Sequence, residues 1–223
     1  MLKLKRLVDL MKLIVYHGSD EIINTPTYNG GRNFSDFGLG FYVTTNIEMA
    51  KSWASRRSRK PAYVNKYMLN TEGLTSLTFD LDLHWLLFIA FNRGLIINEE
   101  IKIILDNKYK DINDYDVIIG ATADDRMFDT LSLFFSNSMT LDHCLKALNS
   151  MDLDIQYNIK SSKGISAMSF TNSAELDDIE KEYYANEVKE KKNIMNKKMI
   201  FIRQKYGKIG KYFDELKGDD LNG

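Results

Sequence analysis

The stretch Asp36-Phe37-Gly38-Leu39-Gly40-Phe41-Tyr42-Val43-Thr44 decides how the rest of the chain is read. Two glycines separated by one residue permit a tight backbone path. They feed a run of aromatic and β-branched residues that reads as a strand over 41–45. Successive strand side chains alternate faces, so Phe41 and Val43 point one way and Tyr42 and Thr44 the other. An aromatic ring beside a gap lined by Gly40 offers a stacking surface to a planar heterocycle. A plain strand with a half-buried tyrosine reads the same way.

Upstream, residues 12–16 (KLIVY) form a short apolar, β-branched run that stops at His17-Gly18-Ser19, a strand entering a loop. Glycine lets a ligand approach the backbone, so the Gly18 amide and carbonyl are candidates to pair with a flat carboxamide. The His17 imidazole and Ser19 hydroxyl could then reach sugar hydroxyls. A strand-ending turn with a surface histidine fits this segment equally well. Residues 1–11 carry Leu2, Leu4, Leu7 and Leu10 near helical spacing and read as a helical extension. Residues 29–40 are a glycine-rich loop, whose Arg32 is a candidate for a pyrophosphate.

Downstream, Asn46 can cap a helix with Met49, Ala50 and Trp53 on one face. It runs into Arg56, Arg57, Arg59 and Lys60 and stops at Pro61. That basic cluster suits a helix C-terminus, and also a pyrophosphate or a nucleic acid. Strands are expected at 62–69, 77–79, 115–120, 154–159 and 165–170, and helices at 83–93, 99–106, 124–137 and 141–150. After Phe170, Lys, Glu, Asn and Tyr dominate; 175–198 reads as a solvated helix with i,i+4 charge pairs and 199–216 as another, with a frayed end. The expected organisation is α+β, with a domain over 1–170 and a charged helical C-terminal extension over 171–223.

Bulk properties exclude several classes. Of 223 residues, 44% are hydrophobic and 27% charged, with a formal net charge of -1, so bulk charge favours neither nucleic acid nor membrane. The single cysteine, Cys144, rules out an intrachain disulfide. With only His17, His84 and His143 besides, no metal-type spacing exists, and no metal is expected. Trp53, Trp85 and Cys144 read as core. The apolar run at 83–91 is about half of a bilayer span. The basic start is broken by Asp9 and Lys12 and lacks a small-residue cleavage site, so a cytoplasmic protein is expected.

Taken together, the blocks VYHGS (15–19), DFGLGFYVT (36–44), MAKSWA (49–54), VNKY (64–67), WLLFIAFNR (85–93) and YDVIIGATADD (115–125) resemble, in order, the bacterial domain-of-unknown-function 3990 family. More distantly, they resemble the ADP-ribosyltransferase superfamily of the diphtheria-toxin and poly(ADP-ribose) polymerase type. The resemblance spans about residues 12–170. It implies an ADP-ribosyltransferase-like split β-sheet core with peripheral helices, clasping NAD as a substrate. It implies that His17 bonds ribose hydroxyls, that Gly18 pairs with the carboxamide through its backbone, and that Tyr42 stacks on nicotinamide. Ser19, Gly40 and Thr44 are supporting candidates.

The superfamily usually places a glutamate in a late strand, where it binds the ribose 2′-hydroxyl. The matching position here is Gln156, which can hydrogen-bond but cannot act as a carboxylate base. Asp154, Asp124 and Asp125 are the other carboxylates that could complete the site. The resemblance therefore implies transfer of a single ADP-ribose to a protein or nucleic acid. By family habit it also implies the toxin of a toxin–antitoxin or defence module, with an antitoxin protein as partner. An NAD glycohydrolase and a non-catalytic NAD- or ADP-ribose-binding module are the alternatives.

Overall fold

The computed structural model describes residues 12–30, 34–56, 61–96, 98–123, 125–206 and 209–222. The described residues form seven strands: β1 (Lys12–Ser19), β2 (Phe41–Thr44), β3 (Tyr63–Asn70), β4 (Ser76–Thr78), β5 (Val117–Ala121), β6 (Ile155–Ile159) and β7 (Met168–Glu175). They form one sheet in the order β4-β5-β6-β2-β1-β3-β7. Only β4–β5 is parallel. The fold is α+β. β1 runs three residues beyond its expected end, because His17, Gly18 and Ser19 keep pairing with Asn65, Val64 and Tyr63.

The period-two pattern sorts side chains to the two faces. Val117 and Ile119 join Val15, Phe41, Val43, Tyr67, Leu69 and Ile159 on one face. Ile118 faces the larger cluster on the other, which Tyr42 also packs against. That cluster is built on α2 (Leu83–Asn92), apolar on nearly every side, with residues 85–90 all buried. Asp82 caps it through the amides of His84 and Trp85. Trp85 is buried, and its indole donates to the Ala121 carbonyl at 3.1 Å. Helices α3 (Glu99–Tyr109), α4 (Asp125–Phe135) and α5 (Leu141–Asn149) close around it, with Cys144 in the core.

Helix α1 (Ile47–Ala54) starts at Asn46, whose side chain accepts from the Glu48 amide at 3.0 Å. It lies so close to β1 that a Cβ at Gly18 would sit 1.9 Å from the Ala50 carbonyl oxygen. Gly18 is what lets this helix dock.

The C-terminal third departs from expectation. Ser161 caps a short helix, α6 (Ser162–Ser166), where a strand was expected, and β7 begins only at Met168. β7 crosses position 171 and pairs with β3 through Glu175. Helix α7 (Asp178–Tyr206) continues past 198 and packs on α1, α4 and α5. Of the second helix expected over 199–216, residues 199–206 belong to α7 and the rest holds a 3₁₀ turn (Phe213–Glu215); α8 (Gly218–Asn222) follows. Phe213, Leu216 and Leu221 are buried in the larger core, so this end is packed rather than frayed. Among the described residues no helix is long and apolar enough to cross a membrane. The expected extension at 1–11 lies outside the described residues.

Candidate functional site

β1 and β2 share a single register pair, Tyr16↔Thr44, while β1 stays paired with β3 as far as Ser19. Past Tyr16 the two strands part, and a cleft of about 740 Å³ opens there. That size lies within the usual range for small-molecule sites. His17, Gly18 and Ser19 line it from β1, Gly40 and Tyr42 from the loop and β2, and Gln156 from β6. Segments 139 residues apart in sequence thus meet in one place.

The β1–β2 parting is held open by polar bonds. His17 Nδ1 lies 2.6 Å from the Tyr42 carbonyl oxygen, which only accepts, so Nδ1 carries the proton. Burial lowers the pKa of His17, against the opposing pull of that carbonyl, so the ring is neutral near pH 7. Its Nε2 is then an acceptor. The imidazole also packs on the Phe41 ring, centroids 4.4 Å apart.

The Tyr42 hydroxyl donates to the Gly38 carbonyl at 2.7 Å and accepts from the Phe37 amide at 2.9 Å. Burial raises its pKa, so it stays protonated and the ring is fixed. The same loop is gripped from β6. Asn158 and Lys160 donate to the carbonyls of Phe37 and Leu39 at 3.1 to 3.3 Å. A Cβ at Gly40 would lie 1.6 Å from Asn158 Oδ1, so glycine is required there. Lys160 loses hydration without gaining a carboxylate, which brings its pKa down to about 8.

Beneath the cleft sits a carboxylate whose role sequence reasoning missed. Asp36 Oδ2 accepts from Gln156 Nε2 at 2.7 Å and from the Ala123 amide at 2.8 Å. Its Oδ1 accepts from Arg93 Nε at 2.8 Å and pairs with the other arm of that guanidinium. Arg93 also donates to the Ala123 carbonyl. Asp36 and Gln156 are 7% and 3% exposed, yet both border the cleft. Neither Asp36 nor Arg93 carries a local signal of this contact, because the partners are 57 and 120 residues away.

Thr44 is the site candidate that the structure moves elsewhere. It is fully buried away from the cleft; its hydroxyl donates to the Ile155 carbonyl at 2.9 Å and accepts from the Asn46 amide at 3.1 Å. Asp154 accepts from Asn46 Nδ2 at 2.6 Å and lines a separate hollow of about 60 Å³. Trp53 and Arg56 border both spaces, so Trp53 is a wall residue rather than core. Arg32, Arg57, Arg59, Lys60 and Asp124 lie outside the described residues, as does the Asp125 side chain. Among the described residues no group of three or more His, Cys, Asp or Glu is placed to hold a metal ion.

The profile of a family described as protein of unknown function (DUF3990) matches residues 13–170, from β1 into β7. The chain belongs to the DUF3990 family. The match takes in every described residue that lines the cleft and leaves α7 and α8 outside it. Neither a curated protein nor a solved structure matches the chain.

Proposed function

We propose that this DUF3990 protein is an NAD-dependent mono-ADP-ribosyltransferase with an ADP-ribosyltransferase-like core. The observation that carries the reading is the parting of β1 and β2, with His17, Gly18, Tyr42 and Gln156 on the walls of one cleft. These are four of the positions at which the superfamily resemblance expects NAD contacts.

The chemistry follows from the groups present. The C1′–N bond to nicotinamide breaks, its electron pair leaves with nicotinamide, and positive charge develops on the ribose. A nucleophile of the acceptor then bonds C1′ and releases a proton. The fixed face of Tyr42 stacks on the pyridinium ring, and the Gly18 backbone orients the carboxamide. His17 Nε2, held as an acceptor, takes a ribose hydroxyl. Ser19 lies beside it; Arg93 at the cleft is paired with Asp36, so Arg56 is the cation proposed for the pyrophosphate. The acceptor is a protein or nucleic acid. In a cellular setting the reading carries an antitoxin partner, so expression in a bacterial host should arrest growth and H17A should relieve the arrest.

The direct test is incubation with NAD labelled in its ADP-ribose half, with cell lysate, comparing wild type with His17→Ala and Tyr42→Ala. Label should appear on macromolecules and fall by about 100-fold or more in both variants. Nicotinamide release without labelled macromolecules would assign the protein as a glycohydrolase. Binding of intact NAD without turnover would make it a binding module. Full turnover in both variants would refute the site.

A further inference from the structure

We infer that Asp36 is the positioning residue of this site: its carboxylate, anchored by Arg93, orients Gln156 so that the amide oxygen is presented as an acceptor. The inference rests on the proposed NAD chemistry for its consequence, and on geometry alone for its premise.

The premise is the direction of one hydrogen bond. A carboxylate surrounded by donors accepts and does not donate, and Asp36 is surrounded by N–H groups from Gln156, Ala123 and Arg93. The atom of Gln156 at 2.7 Å must therefore be its nitrogen. The carboxamide cannot turn over, because that would set its oxygen against a carboxylate oxygen. Its Oε1 is thereby committed to the other side as an acceptor, and the residue borders the cleft. An acceptor is what a ribose hydroxyl requires.

The geometry also sets a carboxylate, ion-paired with Arg93, behind the strand. Position 156 is neutral, but a carboxylate lies one hydrogen bond behind it, on the loop before β2. In a buried network one polar group polarises the next, so Oε1 gains negative character from Asp36. Arg93 pins the carboxylate from the C-terminal end of α2 and ties it to the segment after β5 through Ala123. Asp36 thus links the loop, the segment after β5, β6 and α2 at the floor of the cleft. The neutral amide on the strand and the Asp36–Arg93 pair behind it together fix one hydrogen-bond acceptor at the cleft.

This makes an exchange testable. Asp36→Asn should lower NAD cleavage by about tenfold or more, since losing an orienting contact typically costs that much, while NAD affinity changes by less than about threefold. The swap D36N/Q156E places the carboxylate on β6 with an amide behind it: the new amide nitrogen at position 36 donates to the new carboxylate at 156 and the amide oxygen keeps Arg93, at the cost of the bond from the Ala123 amide. It should recover at least about tenfold of the cleavage rate lost in D36N. A merely structural role for Asp36 predicts no such recovery. Cleavage by D36N within about threefold of wild type, or a swap no faster than D36N, would overturn the inference.

A second measurement stands apart from activity. In wild type, the side-chain amide protons of Gln156 should exchange with deuterium at least about tenfold more slowly than those of an exposed glutamine, and this protection should vanish in D36N. Unprotected exchange in wild type overturns the positioning role even if NAD is cleaved. Protected exchange with no NAD binding or cleavage by wild type leaves the Asp36–Gln156 link standing and refutes the NAD reading instead.

Discussion

At the scale of single residues, depth decides what a side chain does, and depth is what alternation does not encode. Tyr42 and Thr44 share a strand face, as the period of two requires, and that made both site candidates. Yet Tyr42 borders the cleft, whereas Thr44 sits where β2, β6 and the cap of α1 converge. Thr44→Val should therefore cost about 1–3 kcal/mol of stability, by stranding the Asn46 amide and the Ile155 carbonyl, and leave NAD affinity unchanged. Chemical denaturation and a binding titration check the two halves. Gln156 was legible because a late strand presents it. Its partner Asp36 was not, because nothing local marks a contact that spans 120 residues.

At the scale of elements, strands and helices with a clear period were legible nearly to their ends: β2, β3, α2 and α5 all lie where apolar spacing puts them, whereas α1 starts as expected and ends at Ala54, short of the basic cluster it was expected to run into. The misreadings cluster where composition stands in for period. The turn from polar to charged residues near 171 falls inside β7, because an edge strand exposes most of its side chains and so reads as surface. The segment after α7 was expected as a helix with a frayed end, although three of its apolar residues fill the core. Deleting the chain from residue 209 onward removes Phe213, Leu216 and Leu221, each worth roughly 1.5–3 kcal/mol when fully buried. The urea midpoint should fall steeply; an unchanged midpoint would show that this segment does not stabilise the domain.

At the scale of the whole molecule, titration of buried groups sets how stability varies with pH. Lys160 has its pKa lowered from 10.5 to about 8, so the unfolded chain binds its proton more tightly. Its contribution makes stability rise between about pH 8 and 10.5. Burial raises the pKa of Cys144 and Tyr67 above their ordinary 9.0 and 10.0, and their contributions are lost as pH climbs past those values. The two trends oppose each other, so the difference between wild type and Lys160→Met isolates the lysine. Wild type should gain on K160M steadily from pH 8 upward, measured by denaturation at each pH; parallel curves would remove Lys160 from the account. At the acid end, burial acts to raise the pKa of Asp116, but bonds from Ser161 and Thr75 outweigh it and lower the value below 3.8. Its stabilisation is complete above that pH and disappears as pH falls through the lowered value.

The glycine at the end of β1 carries two demands, and only one concerns a ligand. Helix α1 alone forbids any Cβ at Gly18, whatever the cleft binds. A relative that had lost the chemistry and kept the scaffold would still carry this glycine. Invariance at position 18 therefore reports ancestry of the fold, while erosion at His17, Tyr42 and the Asp36–Gln156 pair would mark descendants that have given up the reaction.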